Sequence, residues 1–395
     1  MPRRFPLLLG LLLVITSVLA QQEHHRDETA PTQDDTRQLL FAVEQLIDAY
    51  YVDTVDRQAL LDGALKGMLE VLDPHSSYLN TQTLDLLREN NQGHYYGYGL
   101  EVAVDDDHIR VITPLMGSAA EAAGVLPGDI LLQVDELKVE PRNLDPLVAY
   151  IKQASQEDRD LQVVLQRRSA EQPLEFRLAP SQIEIHTSES AALPEQVGYL
   201  RIASFNQRTA QEVRLAAREL QLQPLSGLVV DLRNNPGGLL DAAVEVADMF
   251  LTEGVIVTTH GRYLDANQRY LATEYNLFGT VPVVVLINQG SASAAEILAG
   301  ALQDHQRATL VGERSYGKGT VQSLIPLLEP GGAIKLTTAR YATPDGRFID
   351  EVGIEPDLAI PLADHELEDI VNNIKELETW KDDQQLYAAY DLLHP

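Results

Sequence analysis

The sequence predicts an α/β multidomain protein with helical segments at both ends and a β-rich module ahead of a larger core. Three observations carry this. The chain has 395 residues, and at roughly 100–200 residues per domain two or three domains are expected. From Ile183 to Leu362 apolar strands and helical runs alternate, which argues for βα units with much of the sheet parallel. Between Gly93 and Pro180, short apolar stretches alternate with turn residues, which reads as a compact β-rich module.

At the N-terminus, Arg3 and Arg4 precede an apolar run from Leu7 to Leu19, and Val18-Leu19-Ala20 leads into a polar stretch opening at Gln21. A basic start, an apolar stretch and small residues before a polar boundary read as a signal peptide over 1–20, too short for a comfortable membrane span. The competing reading is an uncleaved anchor. No cysteine follows the run, which excludes a bacterial-type lipid anchor. Residues 21–35 carry no period and read as a flexible lead-in. Leu39, Leu40, Val43, Leu46 and Ile47, then Leu60, Leu61, Ala64, Leu65, Met68 and Leu69, recur at helical spacing, so 36–92 is an N-terminal helical region. Asp73-Pro74 stops the second run, because proline disfavours helical geometry in the residue before it.

The β-rich module, 93–180, shows strands at Leu100–Val104, Ile109–Ile112, Ile130–Val134 and Leu161–Leu165, with a helix at Leu144–Ile151. The core, 181–362, shows strands at Val197–Ile202, Leu228–Leu232, Val255–Thr259 and Val281–Ile287. Helices Arg208–Leu220, Leu239–Phe250 and Ala294–Leu302 lie between or after them, and beyond Val321 the pattern is strands and turns. The tail, 363–395, is acidic, with Leu386, Ala389, Tyr390 and Leu393 at helical spacing.

Composition removes whole classes of partner. Acids outnumber bases 59 to 30, a net charge of −29, which loss of residues 1–20 would take to −31. Nucleic acid and anionic membrane surfaces both need a basic footprint, so neither is an expected partner. Cysteine is absent, which excludes disulfides, thiolate metal sites and a cysteine nucleophile. No cofactor or metal is expected. Gly312-Glu313-Arg314-Ser315-Tyr316-Gly317-Lys318-Gly319 imitates a phosphate-binding loop, but Gly319 stands where Ser or Thr must hold magnesium, and a strand rather than a helix follows. Neither Gly-x-Ser-x-Gly nor His-Glu-x-x-His occurs, and the ten histidines are scattered. A triad assembled from distant positions stays open.

Four segments are candidates for chemistry. In Asn288-Gln289-Gly290-Ser291-Ala292-Ser293-Ala294-Ala295-Glu296, Ser293 and Glu296 have capping-box spacing. A serine at such a strand-to-helix turn also stands where helix amides stabilise negative charge, so it is equally placed to be a nucleophile. Lys318 lies between Gly317 and Gly319, which suits close approach to a substrate backbone or a plain exposed turn. In an extended segment Lys318, Thr320 and Gln322 share a face, so Gln322 can orient the amine. Asp231-Leu232-Arg233-Asn234-Asn235-Pro236-Gly237-Gly238 ends a strand and exposes amides of the kind an oxyanion hole requires, or is a simple turn. Gly97-Tyr98-Gly99-Leu100 enters a strand and can present amides to a terminal carboxylate.

In order and spacing, these segments resemble the carboxyl-terminal processing, or tail-specific, proteases, and the likeness runs from Leu39 to Leu392. Leu72-Asp73-Pro74-His75-Ser76-Ser77-Tyr78 looks like the family's N-terminal region. Gly97–Leu100, Gly117–Gly124 and Pro127-Gly128-Asp129 look like its PDZ domain, although Ala119 stands where many members have proline. Ser291–Glu296 is similar to the nucleophile motif, with Ala295 replacing a frequent serine, and Tyr316–Gln322 to the motif of the general base. Thr343–Arg347 and Gly353–Asp357 match further along.

The resemblance implies a crotonase- and Clp-protease-like α/β catalytic core with an inserted PDZ domain as a movable gate. It implies a serine endopeptidase with a Ser293–Lys318 dyad, Gln322 holding the lysine, and oxyanion amides from Ala294 and from Gly237 or Gly238. The PDZ turn Gly97, Tyr98, Gly99 and Leu100 would bind substrate C-termini. Exported protein substrates, a periplasmic location, an adaptor protein and self-association through the helical ends are the matching expectations. The alternative is a silent PDZ-bearing binding protein or chaperone.

Overall fold

The computed structural model describes residues 32–105, 108–115, 117–140, 144–170, 172–328, 331–361 and 380–394. The expected signal peptide, most of the lead-in and residues 362–379 of the acidic tail lie outside the described residues. Two units divide the chain, 1–68 and 69–395.

In the first unit Thr32 caps the helix Gln33–Tyr50: Asp35 N–H donates to its hydroxyl at 3.2 Å, and Thr32 N–H donates to the Asp35 carboxylate at 3.0 Å. The helical period of Leu39, Leu40, Val43 and Leu46 is confirmed, yet all four side chains are exposed. A second helix, Arg57–Glu70, follows.

The second unit contains the β-rich module and the core. In the module an antiparallel sheet runs in the order Leu100–Asp105, His108–Pro114, Ile130–Val134, Leu161–Gln166, Leu174–Leu178. Alternation puts Leu161, Val163 and Leu165 inside, against Ile109, Val111, Leu131 and Leu147 of the helix Leu144–Gln156. Leu100–Asp105 is an edge strand, so one side of its backbone pairs with no other strand among the described residues.

The core is built on a sheet in the order Ser188–Leu193, Val197–Ile202, Gly227–Asp231, Val283–Ile287, Ala308–Gly312, Leu358–Ala359. All neighbours are parallel except the first pair. The three helices Thr209–Leu220, Leu240–Asp248 and Ala294–Asp304 cover one face, where Leu228, Val230 and Val285 are buried. Val229, Val284 and Leu286 point the other way, onto Leu386, Ala389 and Leu393 of the terminal helix Gln384–Leu392. Strands buried on both faces explain the unbroken apolar runs that marked them in the sequence. A second, antiparallel sheet is centred on the long strand Ala333–Ala342, which pairs with Ser77–Leu79, Val255–Gly261 and Thr320–Pro326. The helix Thr81–Gln92, inside the expected helical region 36–92 although no apolar run marked it, leads from this sheet to the β-rich module.

Candidate active site

Three turns at the C-terminal ends of core strands meet at one point, where open α/β sheets place their ligands. Asn234 N–H donates to Asn288 Oδ1 at 2.8 Å, and Asn288 Nδ2 donates back to Asn234 Oδ1 at 2.8 Å. The fully buried Ser291 donates its hydroxyl to Leu232 O at 2.8 Å, and Tyr316 N–H donates to Ser291 O at 2.9 Å. Ser291 is therefore a stitch between turns, and its hydroxyl is engaged.

Ser293 is different. It opens the helix Ala294–Asp304 at φ 54°, ψ −114°, a strained conformation for a residue with a side chain, whereas an ordinary N-cap is extended. Ser293 N–H donates to Glu296 Oε2 at 2.7 Å. Ser293 and Glu296 close a capping box, and the Glu296 amide also donates to the Ser293 carbonyl at 2.9 Å. The cap and the nucleophile readings thus meet in one residue: Ser293 closes a capping box and also lines a cleft.

Glu296 has a larger role than capping. Fully buried, its carboxylate also accepts from Ser315 Oγ at 2.5 Å, Gly317 N–H at 2.8 Å and Lys318 N–H at 2.9 Å. Burial pushes this carboxyl up, against the pull of those four bonds. One side chain therefore fixes the backbone of both Ser293 and Lys318. Tyr341, buried on the long strand, donates its hydroxyl to Lys318 O and lies 3.1 Å from Ser293 O, joining the same two residues from the other side.

Ser293, Ala294, Lys318, Gln322, Gly237 and Gly238 all line one cleft of about 460 Å³. The Lys318 amine is held below the usual lysine range, first by burial and then by the nearby Lys335, with Glu296 opposing. That is the direction a lysine base requires.

Gln322 shares the cleft, a bulge between Val321 and Gln322 breaks the simple alternation, and its Nε2 donates to Thr320 Oγ1 at 2.9 Å. Gly237 N–H donates to Asn235 Oδ1 at 2.8 Å, so that amide is taken. The backbone at Gly237 nevertheless packs on the serine, since a Cβ there would sit 2.7 Å from Ser293 Cβ and 2.9 Å from Ala294 N. Gly238, at φ 142°, has no room for a side chain: a Cβ would lie 1.9 Å from Phe205 O.

In the β-rich module Gly99, at φ 80°, lies so close to Ser118 that a Cβ would approach within 2.0 Å. Tyr98 O accepts from Ala120 N–H at 3.1 Å and Gly99 O from Leu115 N–H at 2.9 Å, which fixes the turn. The Tyr95 ring packs over Gly97, and the Gly99 amide is a hydrogen-bond neighbour of the Tyr95 hydroxyl, a contact the sequence did not suggest.

Residues 196–360 match Peptidase family S41, residues 111–165 match a PDZ domain, and residues 14–83 match the activating protease CtpB N-terminal domain. The chain is 36% identical over 371 residues to the carboxy-terminal-processing protease of Bartonella bacilliformis, covering 87% of this chain and 85% of that one. It belongs to the carboxy-terminal processing protease family. It is also 35% identical over 325 residues to the carboxy-terminal processing protease CtpB of Bacillus subtilis, covering 81% and 67% of the two chains. A solved structure from Bacteroides fragilis assigned to the S41 proteases shares the fold, with a TM-score of 0.52 at 18% identity over 87% of this chain and 92% of that one.

As a carboxy-terminal processing protease the chain is a serine-type peptidase with a PDZ domain, which sets aside the silent-binder alternative. The phosphate-loop imitation at Gly312–Gly319 resolves into the turn that delivers Lys318, followed by the strand Thr320–Pro326. Sequence reasoning missed Tyr341, Lys335, Leu87 and Asn91 as walls of the cleft. For the last two a signal existed, Asn80 and Gly93 as caps of the helix that carries them.

Proposed function

We propose that this carboxy-terminal processing protease uses a Ser293–Lys318 dyad to cut exported proteins near their C-termini, with the tail held by the PDZ turn. The observation that carries it is a serine in a strained backbone conformation and a lysine of depressed basicity in one cleft, fixed by the same buried carboxylate. Ser293 Oγ attacks the scissile carbonyl carbon as its proton passes to Lys318 Nζ. The resulting oxyanion is held by the Ala294 and Gly238 amides, neither of which has another hydrogen-bond partner among the described residues. Lys318 returns the proton to the leaving amine as the C–N bond breaks, and water, activated by the same amine, then releases the acyl group. Gln322 belongs to the cleft wall beside the lysine.

In the PDZ domain the edge strand Leu100–Asp105 pairs with the substrate tail while the amides of Gly97, Tyr98, Gly99 and Leu100 meet the carboxylate, displacing the Tyr95 hydroxyl. The N-terminal signal segment and a periplasmic location follow from the reading of residues 1–20. Self-association through the helical ends fits the uncovered apolar stripe of Gln33–Tyr50, and delivery by an adaptor is the remaining element of the reading.

One experiment tests both halves. The Ser293→Ala variant is expected to bind an unfolded peptide but to turn it over orders of magnitude more slowly than the parent. Amidating the peptide's C-terminus is expected to weaken capture by about 10- to 150-fold, the worth of a charge-assisted bond of roughly 1.5–3 kcal/mol. Undiminished cleavage by Ser293→Ala overturns the nucleophile, and equal capture of acid and amide overturns the tail-reading role.

A further inference from the structure

The cleft holds a second lysine. Lys335 lies on the long strand Ala333–Ala342, opposite Leu324 of the strand that follows Lys318. Thr337, the next residue on its face, is paired with Gln322, and Gln322 Nε2 lies 3.4 Å from Thr337 Oγ1. Lys335 and Lys318 both line the cleft, and no carboxylate of the described residues does. Lys335 makes no ion pair with any described residue and is partly exposed.

We propose that Lys335 is a positioning residue of the reaction: its unpaired ammonium, sharing the cleft with Lys318, opposes protonation of that amine and so maintains the neutral base. The proposal rests on the Ser293–Lys318 reading. A like charge disfavours a second cation nearby, and a lysine beside another cationic group is a recognised route to a reactive amine. Burial is the largest cause of the lowered basicity of Lys318, and Lys335 comes next. The other charged and titratable groups around Lys318 are accounted for. Glu296, on the nucleophile helix, acts in the opposite sense, and its oxygens are already bound by four donors. Asp350 accepts from Gly319 N–H and is paired with Arg340. Tyr341 donates to Lys318 O. Asp73, reaching the long strand from the N-terminal side, is bonded by Ser76 and by the Thr337 hydroxyl. Lys335 is the positive member of this set that carries no carboxylate partner.

The test is kcat/KM against pH at low salt, on a blocked, uncharged fluorogenic peptide, for the full chain and for Lys335→Met, Lys335→Arg and Lys318→Ala. Lys335→Met is expected to lose roughly 3- to 10-fold on the acid limb, the loss shrinking as pH rises, because only the supply of neutral amine has changed. Lys335→Arg keeps the charge and is expected to follow the parent. Added salt should depress the acid limb of the parent more than that of Lys335→Met, since screening removes what the mutation has already removed. A Lys335→Met profile superposed on the parent, a uniform loss at every pH, or an arginine variant that behaves like methionine overturns the proposal while leaving the dyad in place. Full activity of Lys318→Ala overturns the dyad itself, and the role of Lys335 with it.

Discussion

At the scale of single residues, the site depends on Glu296 as much as on Ser293 and Lys318. Its carboxylate accepts from Ser293 N–H, Ser315 Oγ, Gly317 N–H and Lys318 N–H, and it stays outside the wall of the cleft. Replacing it by glutamine leaves one acceptor oxygen and turns an NH₂ group toward donors that want an acceptor. Glu296→Gln is therefore expected to lower kcat by about 10- to 100-fold, consistent with the 1.5–3 kcal/mol of a hydrogen bond to a charged group, with KM little changed. A variant with parental kcat would show that the carboxylate does not position the dyad. The sequence displays Ser293 and Glu296 three apart, and that spacing alone supports only a cap. What it hides is that Ser315 to Lys318, about twenty residues further on, close around the same carboxylate. The engagement of the Gly237 amide was hidden for a similar reason, because it depends on the side chain of Asn235 folding back onto it.

At the scale of elements, strands announced by unbroken apolar runs, such as Val283–Ile287, were legible because burial on both faces leaves no polar positions. The helix Thr81–Gln92 was not. Its apolar residues Leu84, Leu86 and Leu87 cluster instead of recurring, and only Leu84 is buried, so periodicity is weak and the caps carry the signal. The terminal helix Gln384–Leu392 was visible in its period, but its function as a clamp was not. Arg233, immediately before the Asn234–Gly238 turn, is buried between Asp231 and Asp383: its guanidinium donates to Asp231 Oδ2 at 2.6 Å and Asp383 Oδ2 at 2.8 Å. Asp383 also caps the helix, accepting from Leu386 N–H at 3.0 Å. Losing Asp383 removes its charge-assisted hydrogen bonds from Arg233, which Asp231 still neutralises, and the cap of the helix, together about 2–4 kcal/mol. Asp383→Ala should lower the denaturation free energy by that amount. A loss under about 1 kcal/mol, measured by urea unfolding, would mean that water or Gln385 replaces the carboxylate without penalty.

At the scale of the whole molecule, the excess of acids sets how stability varies with pH. Asp73, Asp129, Asp135 and Asp231 are each pushed up by burial, yet hydrogen bonds, joined for the last three by arginine partners, hold each below the ordinary value of 3.8. A carboxyl with a lowered folded value contributes stability that is present above 3.8 and lost as pH falls through the lower value, because the unfolded chain takes up its proton first. Glu296 has the opposite sign: its folded carboxyl is raised, so protonation favours the folded state as pH falls toward it. A net charge of −29 adds a third contribution, a self-repulsion that weakens as acidification reduces the negative charge. Together these predict a dome. At low ionic strength Tm should rise on acidification from pH 8 to about pH 5, where repulsion has eased and the paired aspartates are still ionised. Below 3.8 it should fall steeply as Asp129 and its fellows lose their arginine and amide partners. At pH 7 added salt should raise Tm, since it screens the net repulsion more than it weakens the buried Asp231–Arg233 pair. Calorimetry over a pH series at two salt concentrations reads all three slopes. A Tm that falls steadily from pH 7 to 5, or that salt lowers at pH 7, would mean that favourable surface pairing outweighs the excess of negative charge.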